Sequence, residues 1–195
     1  VVSTCCGFGG GWLFTKLLEK LFKKADRRGL QNKWRIAQVF TGAGVAIMHG
    51  AQDGQKFLSI SMLGIMLAMG SMDTSNVTFP LWLIILCALA MGLGTAIGGK
   101  KIIKSVGMDM VKLEKYQGFS ADVAASLCIF FSTILGIPVS TTHVKTTAIM
   151  GVGAVKRMSA INYAVVKDMV LTWVLTFPGC GLIGFGMAKL FLFLL

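Results

Sequence analysis

Charged residues are scarce in this chain, and acidic residues are the scarcest of them. Only 14% of the 195 residues are Asp, Glu, Lys or Arg, whereas a soluble domain carries about 25%. Hydrophobic residues make up 55%, and the mean hydropathy is +0.75. Val77–Ile97 and Asp168–Leu195 contain long stretches with almost no charge, and about 20 such residues cross the hydrocarbon core of a membrane. The composition excludes a soluble domain and predicts an integral membrane protein.

Cysteine motifs are also lacking. The five cysteines form no CxxC pair and have no metal-ligand spacing. Most lie in apolar runs, where a free cysteine behaves as a small hydrophobic residue. No cofactor is predicted, and the cysteines indicate no metal site. The cysteines are Cys5, Cys6, Cys87, Cys128 and Cys180.

Eight acidic residues stand against 19 basic ones, which gives a formal net charge of +11. Clustered Lys and Arg would suit a nucleic acid, but here they lie in short loops between apolar runs. Cytoplasmic loops of membrane proteins are enriched in Lys and Arg, so membrane topology explains the charge better and no nucleic-acid partner is predicted. The basic loops are Lys20–Arg35, Lys100–Lys115 and Lys156–Lys167.

The apolar residues divide the chain into a preceding segment and a membrane domain. Residues 1–35 are predicted to hold the end of a preceding helix and a basic cytoplasmic linker, and residues 36–195 a single membrane domain. Val1 lies inside an apolar run and is not a Met, so we expect the sequence to be part of a longer protein. The apolar segments are Ile36–Gly70, Pro80–Gly99, Ala121–Leu135, Thr141–Val155 and Asp168–Leu195, with a polar turn at Ser71–Asn76 and a kink expected at Pro178.

The basic loops restrict how the chain crosses the membrane. If all three are cytoplasmic, an even number of crossings separates any two of them. Ile36–Gly70 then supplies one crossing, yet as a straight helix it would be about 50 Å long against a core of about 30 Å. A break is therefore expected near its middle, where Gly50 and Gly54 would let the helix open.

A helical hairpin is predicted between the second and third basic loops. Its arms, Ala121–Leu135 and Thr141–Val155, are each about 15 residues long, which is short for a full crossing. The pair should therefore enter and leave on the same side as a re-entrant hairpin, with Gly136–Ser140 at its tip. Irregular backbone at membrane depth lies in protein or lines a wet cavity, so the tip is a candidate site.

A first polar cluster interrupts Ile36–Gly70. Offsets of three, four and seven from His49 place Gln52, Asp53 and Lys56 on one helical face. Charged residues in a membrane segment are costly and usually mark an ion or substrate path. The alternative is that Asp53 and Lys56 form an ion pair that only holds helices together.

A second polar cluster follows Pro138. Ser140 or Thr141 is placed to cap the next helix, and Thr142 and Lys145 follow. Free N–H groups at a helix N-terminus, three hydroxyls and a lysine together favour an anion site. The alternative is an ordinary N-cap. The two histidines of the chain, His49 and His143, each lie in one of the two clusters, which argues against a purely structural role.

The two clusters resemble the signatures of the inorganic phosphate transporter (Pit) family. The residues from His49 to Lys56, His-Gly-Ala-Gln-Asp-Gly-Gln-Lys, look like its Gly-Ala-Asn-Asp box, and the residues from Pro138 to His143, Pro-Val-Ser-Thr-Thr-His, match its second box. The order and separation of the boxes match as well, over nearly the whole chain. Gln52 stands where many members have Asn. One copy of each box is present, with a basic linker typical of the C-terminal repeat.

The resemblance implies an all-α integral membrane protein with broken transmembrane helices and a re-entrant hairpin, forming one half of an inverted-repeat transporter. It implies multi-pass secondary transport of phosphate across the cell membrane, by symport with Na⁺ or H⁺, and no enzyme activity. An anion would be repelled by Asp53, which we assign to the coupling cation or proton with Gln52 and Gln55. Phosphate is assigned to Ser140, Thr141 and Thr142, with His49, Lys56, His143 and Lys145 in support.

Expected partners are inorganic phosphate, alone or as a metal–phosphate complex, membrane lipid, the N-terminal repeat, and optionally a second copy of the chain. One alternative function is a permease for another oxyanion such as sulfate, because hydroxyls and N–H groups discriminate tetrahedral anions weakly. A less favoured alternative is a membrane-embedded hydrolase that uses Ser140, His143 and Asp53. Nothing in the sequence resembles a nucleophile elbow.

Overall fold

The computed structural model describes residues 2–23, 27–70 and 78–194, whose regular secondary structure is helical, with no strand among them. This confirms the predicted all-α class. The polar turn expected at Ser71–Asn76 lies outside the described residues. Residues 1–161 form one compact unit, and residues 162–195 form another. The helices are α1 (Val2–Leu21), α2 (Arg27–Ala68), α3 (Leu81–Lys104), α4 (Lys115–Ile134), α5 (Thr141–Lys156) and α6 (Tyr163–Leu194), with a π-helical turn at Ser105–Asp109 and a 3₁₀ turn at Met158–Ala160.

Three of the described helices are long and apolar enough to cross a membrane. They are α3, α4 and α6. Helix α6 lies in the second unit and continues through Pro178. Helix α2 is absent from this group because its central polar residues lower its hydropathy, although a crossing was expected there. The apolar helices make this a membrane protein.

The expectation of a broken α2 is wrong. The helix is continuous over 42 residues, or about 63 Å, and Gly50 and Gly54 lie inside it. The polar side chains find partners without any opening of the backbone. Asp53 contacts His49 one turn before it and Lys56 one turn after it, and the same face meets the tip of the hairpin.

The core of the first unit is formed by α1, α4 and α5, with α2 packed along α4. Helices α1 and α5 approach so closely that a Cβ atom at Gly7, Gly11 or Gly151 would collide with the facing helix. Small residues permit this contact between membrane helices. The central buried residues are Ala125, Ile129, Val139, Val144 and Ala148.

Helices α4 and α5 form the predicted hairpin, although α4 begins six residues earlier than expected. Glu114 starts it through a capping box with Gln117. At 20 residues, α4 is about 30 Å long and matches the thickness of the hydrocarbon core. Its length therefore does not require re-entry, contrary to the argument from 15-residue arms.

Gly136 ends α4 in a left-handed conformation, with φ of +65°. The N–H of Ile137 donates to the Ser132 carbonyl at 2.9 Å, and the N–H of Gly136 donates to the Thr133 carbonyl at 3.2 Å. This is the Schellman arrangement, and Pro138 then prevents further helix. The carbonyls of residues 137 and 139 are consequently left for partners on another helix.

Residues of the first unit that belong to or border the three basic loops lie together at one end of that unit. The Tyr116 hydroxyl at the start of α4 donates to Glu19 near the end of α1 at 3.1 Å. Lys156 at the end of α5 forms an ion pair with Glu114. Trp34 of α2 packs on Phe119 of α4, with ring centroids 5.3 Å apart. An even number of crossings between the loops requires this arrangement.

Candidate functional site

Asp53 is the centre of the polar contacts between α2 and the hairpin. Its Oδ2 accepts a hydrogen bond from the Thr141 hydroxyl at 3.1 Å and lies 3.0 Å from Nε2 of His49. Its Oδ1 accepts from Nζ of Lys56 at 2.8 Å. Both carboxylate oxygens are therefore occupied. The two sequence motifs meet here, through the hydrogen bond from Thr141 to Asp53.

Gln52 and Lys56 bind the hairpin tip through its backbone. Nε2 of Gln52 donates to the Ile137 carbonyl at 3.1 Å, and Nζ of Lys56 donates to the Val139 carbonyl at 2.6 Å. Oε1 of Gln52 also accepts from the Thr133 hydroxyl. Gln52 is only 3% exposed, so this amide is a buried link between α2 and the hairpin.

The hydroxyl residues of the second motif have three different environments. Oγ of Ser140 accepts from the N–H of His143 at 3.4 Å, which makes it the N-cap of α5. Thr141 is buried and donates to Asp53. Thr142 is exposed. The ordinary N-cap alternative therefore applies to Ser140, while Thr141 and Thr142 do not serve as that cap.

A cavity of about 320 Å³ lies beside this cluster. Gln52, Gln55 and Lys56 of α2 line one side, and residues 132, 133 and 136–138 of the hairpin line the other. Gln55 is exposed, and it takes part in the site as a lining residue of this cavity. Asp53 and Thr141 are not among its lining residues.

Lys145 pairs with Asp122, a residue that the sequence reasoning missed. Nζ of Lys145 donates to Oδ1 of Asp122 between α5 and α4. The side chain of Asp122 is 11% exposed. The sequence did contain a signal for this residue, because Asp122 is the one acidic residue within Ala121–Leu135, and a lone carboxylate in an apolar helix usually has a functional or pairing role.

His143 lies one turn before Thr147. The Thr147 hydroxyl donates to the backbone carbonyl of His143 at 2.7 Å.

These features define a class of protein. The described residues include long apolar helices and a site in which charged side chains of α2 meet a helical hairpin, and this combination is characteristic of helical membrane transporters. The profile of the Phosphate transporter family matches residues 1–184. The chain belongs to this family, whose members are transporters and not enzymes, and the hydrolase alternative is therefore dropped.

Individual relatives agree with the family profile. The chain is 37% identical over 178 residues to a "Probable low-affinity inorganic phosphate transporter" of Bacillus subtilis (strain 168), covering 91% of this chain and 53% of the relative. A protein of the same description from Rhizobium meliloti (strain 1021) is 34% identical, with 94% and 54% covered. The chain thus spans about half the length of these curated relatives.

One solved structure is also similar. It is described as "The sodium-dependent phosphate transporter" and superposes with a TM-score of 0.68 at 27% identity. The match covers 83% of this chain and 41% of that one. The likeness extends the family assignment to the arrangement of the helices.

Proposed function

We propose that the full-length protein carries out secondary active transport of inorganic phosphate across the cell membrane as a multi-pass symporter. The observation that carries this proposal is the contact between the two motifs, in which the Thr141 hydroxyl donates to Asp53. The names of the relatives favour phosphate over sulfate. Na⁺ is the favoured coupling ion because the similar solved structure is described as sodium-dependent. H⁺ is the alternative.

The proposed roles follow from charge. Asp53 binds the coupling ion, with Gln52 and Gln55 as further oxygen ligands, because a carboxylate repels phosphate. Ser140, Thr141 and Thr142 bind phosphate through their hydroxyls and the N-terminus of α5. His49, Lys56, His143 and Lys145 support the two groups.

The hydrogen bonds add a condition to these roles. Lys56, Thr141 and His49 contact Asp53, so a cation that binds this carboxylate competes with them, and we expect it to displace the Thr141 hydroxyl. Released in this way, the Thr141 hydroxyl is free to donate to phosphate. Cation binding would then prepare the anion site, which is a physical route to coupling in symport.

The chain spans about half of its relatives, and we propose that it is one of two inverted repeats with a re-entrant hairpin at α4–α5. Its partners would be phosphate, alone or as a metal–phosphate complex, the other repeat, lipid and optionally a second copy. Sites built at the interface of two repeats near the midplane are common in secondary transporters.

Phosphate uptake by the full-length protein in proteoliposomes, with Na⁺ concentration and pH varied independently, tests the proposal. Asp53→Asn keeps the size of the side chain but removes its charge. We expect it to abolish the dependence on Na⁺ or pH together with most of the uptake.

The matched control is Asp168→Asn, which makes the same chemical change at an exposed position of α6 and should retain cation dependence. Cation-dependent uptake by Asp53→Asn would remove this aspartate from the coupling site. An absence of phosphate uptake by the unchanged protein at every pH and Na⁺ concentration would contradict the proposed function itself.

A further inference from the structure

A second cavity, of about 750 Å³, lies far from Asp53 at the end of the first unit where the basic loops gather. Its walls come from the end of α1, the beginning of α2 and residues 113–116 at the start of α4. Its volume is within the range of about 300–1,000 Å³ that is typical of small-molecule sites. The transport site does not include these residues.

The charged part of the wall is basic once internal pairs are counted. Lys20, Lys23 and Lys115 line the cavity and have no carboxylate within 4.0 Å among the described residues. Of the two carboxylates of the wall, Glu114 pairs with Lys156, whereas Glu19 accepts from Tyr116 and keeps its charge, so the three lysines face one uncompensated carboxylate. The three unpaired ammonium groups favour an anion.

The remaining wall is apolar and aromatic. Trp34 packs edge to face on Phe22 with ring centroids 5.0 Å apart, and Leu18, Leu30 and Leu113 complete the surface. A bare phosphate ion would leave this apolar surface exposed to water. A molecule with a phosphate and an attached hydrocarbon chain would cover both parts of the wall.

We propose that this cavity binds an anionic phospholipid, with the phosphate of the headgroup near Lys20, Lys23 and Lys115 and an acyl chain along Phe22 and Trp34. Basic pockets between membrane helices on the side rich in Lys and Arg bind anionic headgroups, and Trp and Tyr favour the membrane–water interface. The cavity lies at that end of the unit, beside the first two basic loops.

Fluorescence quenching by brominated lipids tests the proposal in the full-length protein. Trp34 is kept as the one tryptophan, with every other tryptophan replaced by Phe, and the protein is reconstituted in phosphatidylcholine. Brominated phosphatidylglycerol should quench Trp34 at a mole fraction about ten-fold lower than brominated phosphatidylcholine does. A reference protein that keeps only Trp82, an exposed residue of α3, should be quenched equally by both lipids.

The lysines are tested by a triple variant, Lys20→Gln, Lys23→Gln and Lys115→Gln. Each lysine near an anionic headgroup contributes about five-fold to affinity, so the preference for phosphatidylglycerol at Trp34 should disappear. A control variant with Lys100→Gln, Lys104→Gln and Lys167→Gln loses the same charge outside the cavity and should keep the preference. All six lysine side chains are exposed, and none of them has an ion partner among the described residues. Both triple variants should therefore fold.

Three outcomes would overturn the proposal. Equal quenching of Trp34 by both lipids in the unchanged protein would show that no anionic lipid is selected. Quenching by neither lipid would show that another part of the full-length chain fills the cavity. A shift in Trp34 emission when inorganic phosphate is added to phosphatidylcholine vesicles, without a lipid preference, would assign the cavity to free phosphate.

Discussion

Thr141 and Thr142 are adjacent in sequence, yet their side chains have different neighbours. Thr141 is buried against Asp53, whereas Thr142 is exposed. The sequence pattern gives all three hydroxyls of the motif the same anion-binding role. Only the packing of α2 against the hairpin distinguishes them, because it decides which hydroxyl finds a carboxylate within reach.

This difference predicts separate phenotypes. Thr142→Val keeps the shape of the side chain and deletes a donor to phosphate, so apparent phosphate affinity should fall about ten- to a hundred-fold with cation dependence intact. Thr141→Val also removes a hydrogen bond to Asp53, so it should alter cation dependence as well. Both are measured as uptake against phosphate at several Na⁺ concentrations. Identical phenotypes for the two variants would contradict the different environments.

Other contacts at this scale had no local signal. Thr133 donates to Gln52, which lies 81 positions away in the sequence. A threonine in an apolar helix gives no indication that a distant amide is its partner. His49, Asp53 and Lys56, by contrast, could be placed on one face from helical spacing alone. Spacing within one helix is readable from sequence, while the identity of the facing helix is not.

At the scale of elements, the ion pair of Asp122 and Lys145 joins the two arms of the hairpin. Asp122→Asn alone leaves the ammonium of Lys145 without its partner, and breaking a buried pair is strongly destabilising. Because the lysine is partly exposed, we expect a loss of about 1–3 kcal/mol.

The double variant, Asp122→Asn with Lys145→Gln, should be more stable than Asp122→Asn. The measurement is thermal unfolding of the purified protein in detergent. If the losses of stability caused by Asp122→Asn and by Lys145→Gln alone simply add in the double variant, the pair does not contribute to joining α4 and α5.

The turn between those arms depends on Gly136. Its φ of +65° is unfavourable for any residue with a Cβ atom, although a Cβ atom there would meet nothing within 4 Å beyond its chain neighbours. Gly136→Ala should therefore lower the free energy of unfolding by about 1–2 kcal/mol through backbone strain alone. Gly64→Ala is the control, since Gly64 is also uncrowded but helical, and it should raise stability slightly. Equal effects of the two changes would argue against the left-handed turn.

Element boundaries show what sequence reasoning could and could not supply. The hairpin and its turn could be predicted because Gly136 and Pro138 both end helices. The continuity of α2 could not be predicted, because polar residues inside an apolar run are compatible with a broken helix or with a whole helix that faces polar groups. His49 and Lys56 satisfy Asp53 along the intact helix, so nothing forces a break.

At the scale of the whole molecule, the gathering of the basic loops predicts sidedness. In a cysteine-free background, single cysteines at Asn32, Lys112 and Met158 should react with a membrane-impermeant maleimide from one side only. Ile137→Cys at the hairpin tip should be shielded from that reagent on both sides if the hairpin is re-entrant. Free labelling of Ile137→Cys from the opposite side would show that α4 and α5 cross the membrane completely.

The link from α2 to the tip uses main-chain oxygens, and this has a consequence for which positions can vary. Gln52 and Lys56 bind the carbonyls of residues 137 and 139, whatever side chains those residues carry. Homologous sequences should therefore drift freely at exposed Ile137, where any L-residue offers the same carbonyl. Gly136 and Pro138 determine the path of the backbone that presents these oxygens, so selection should act on the two residues flanking position 137 and pass over the residue between them.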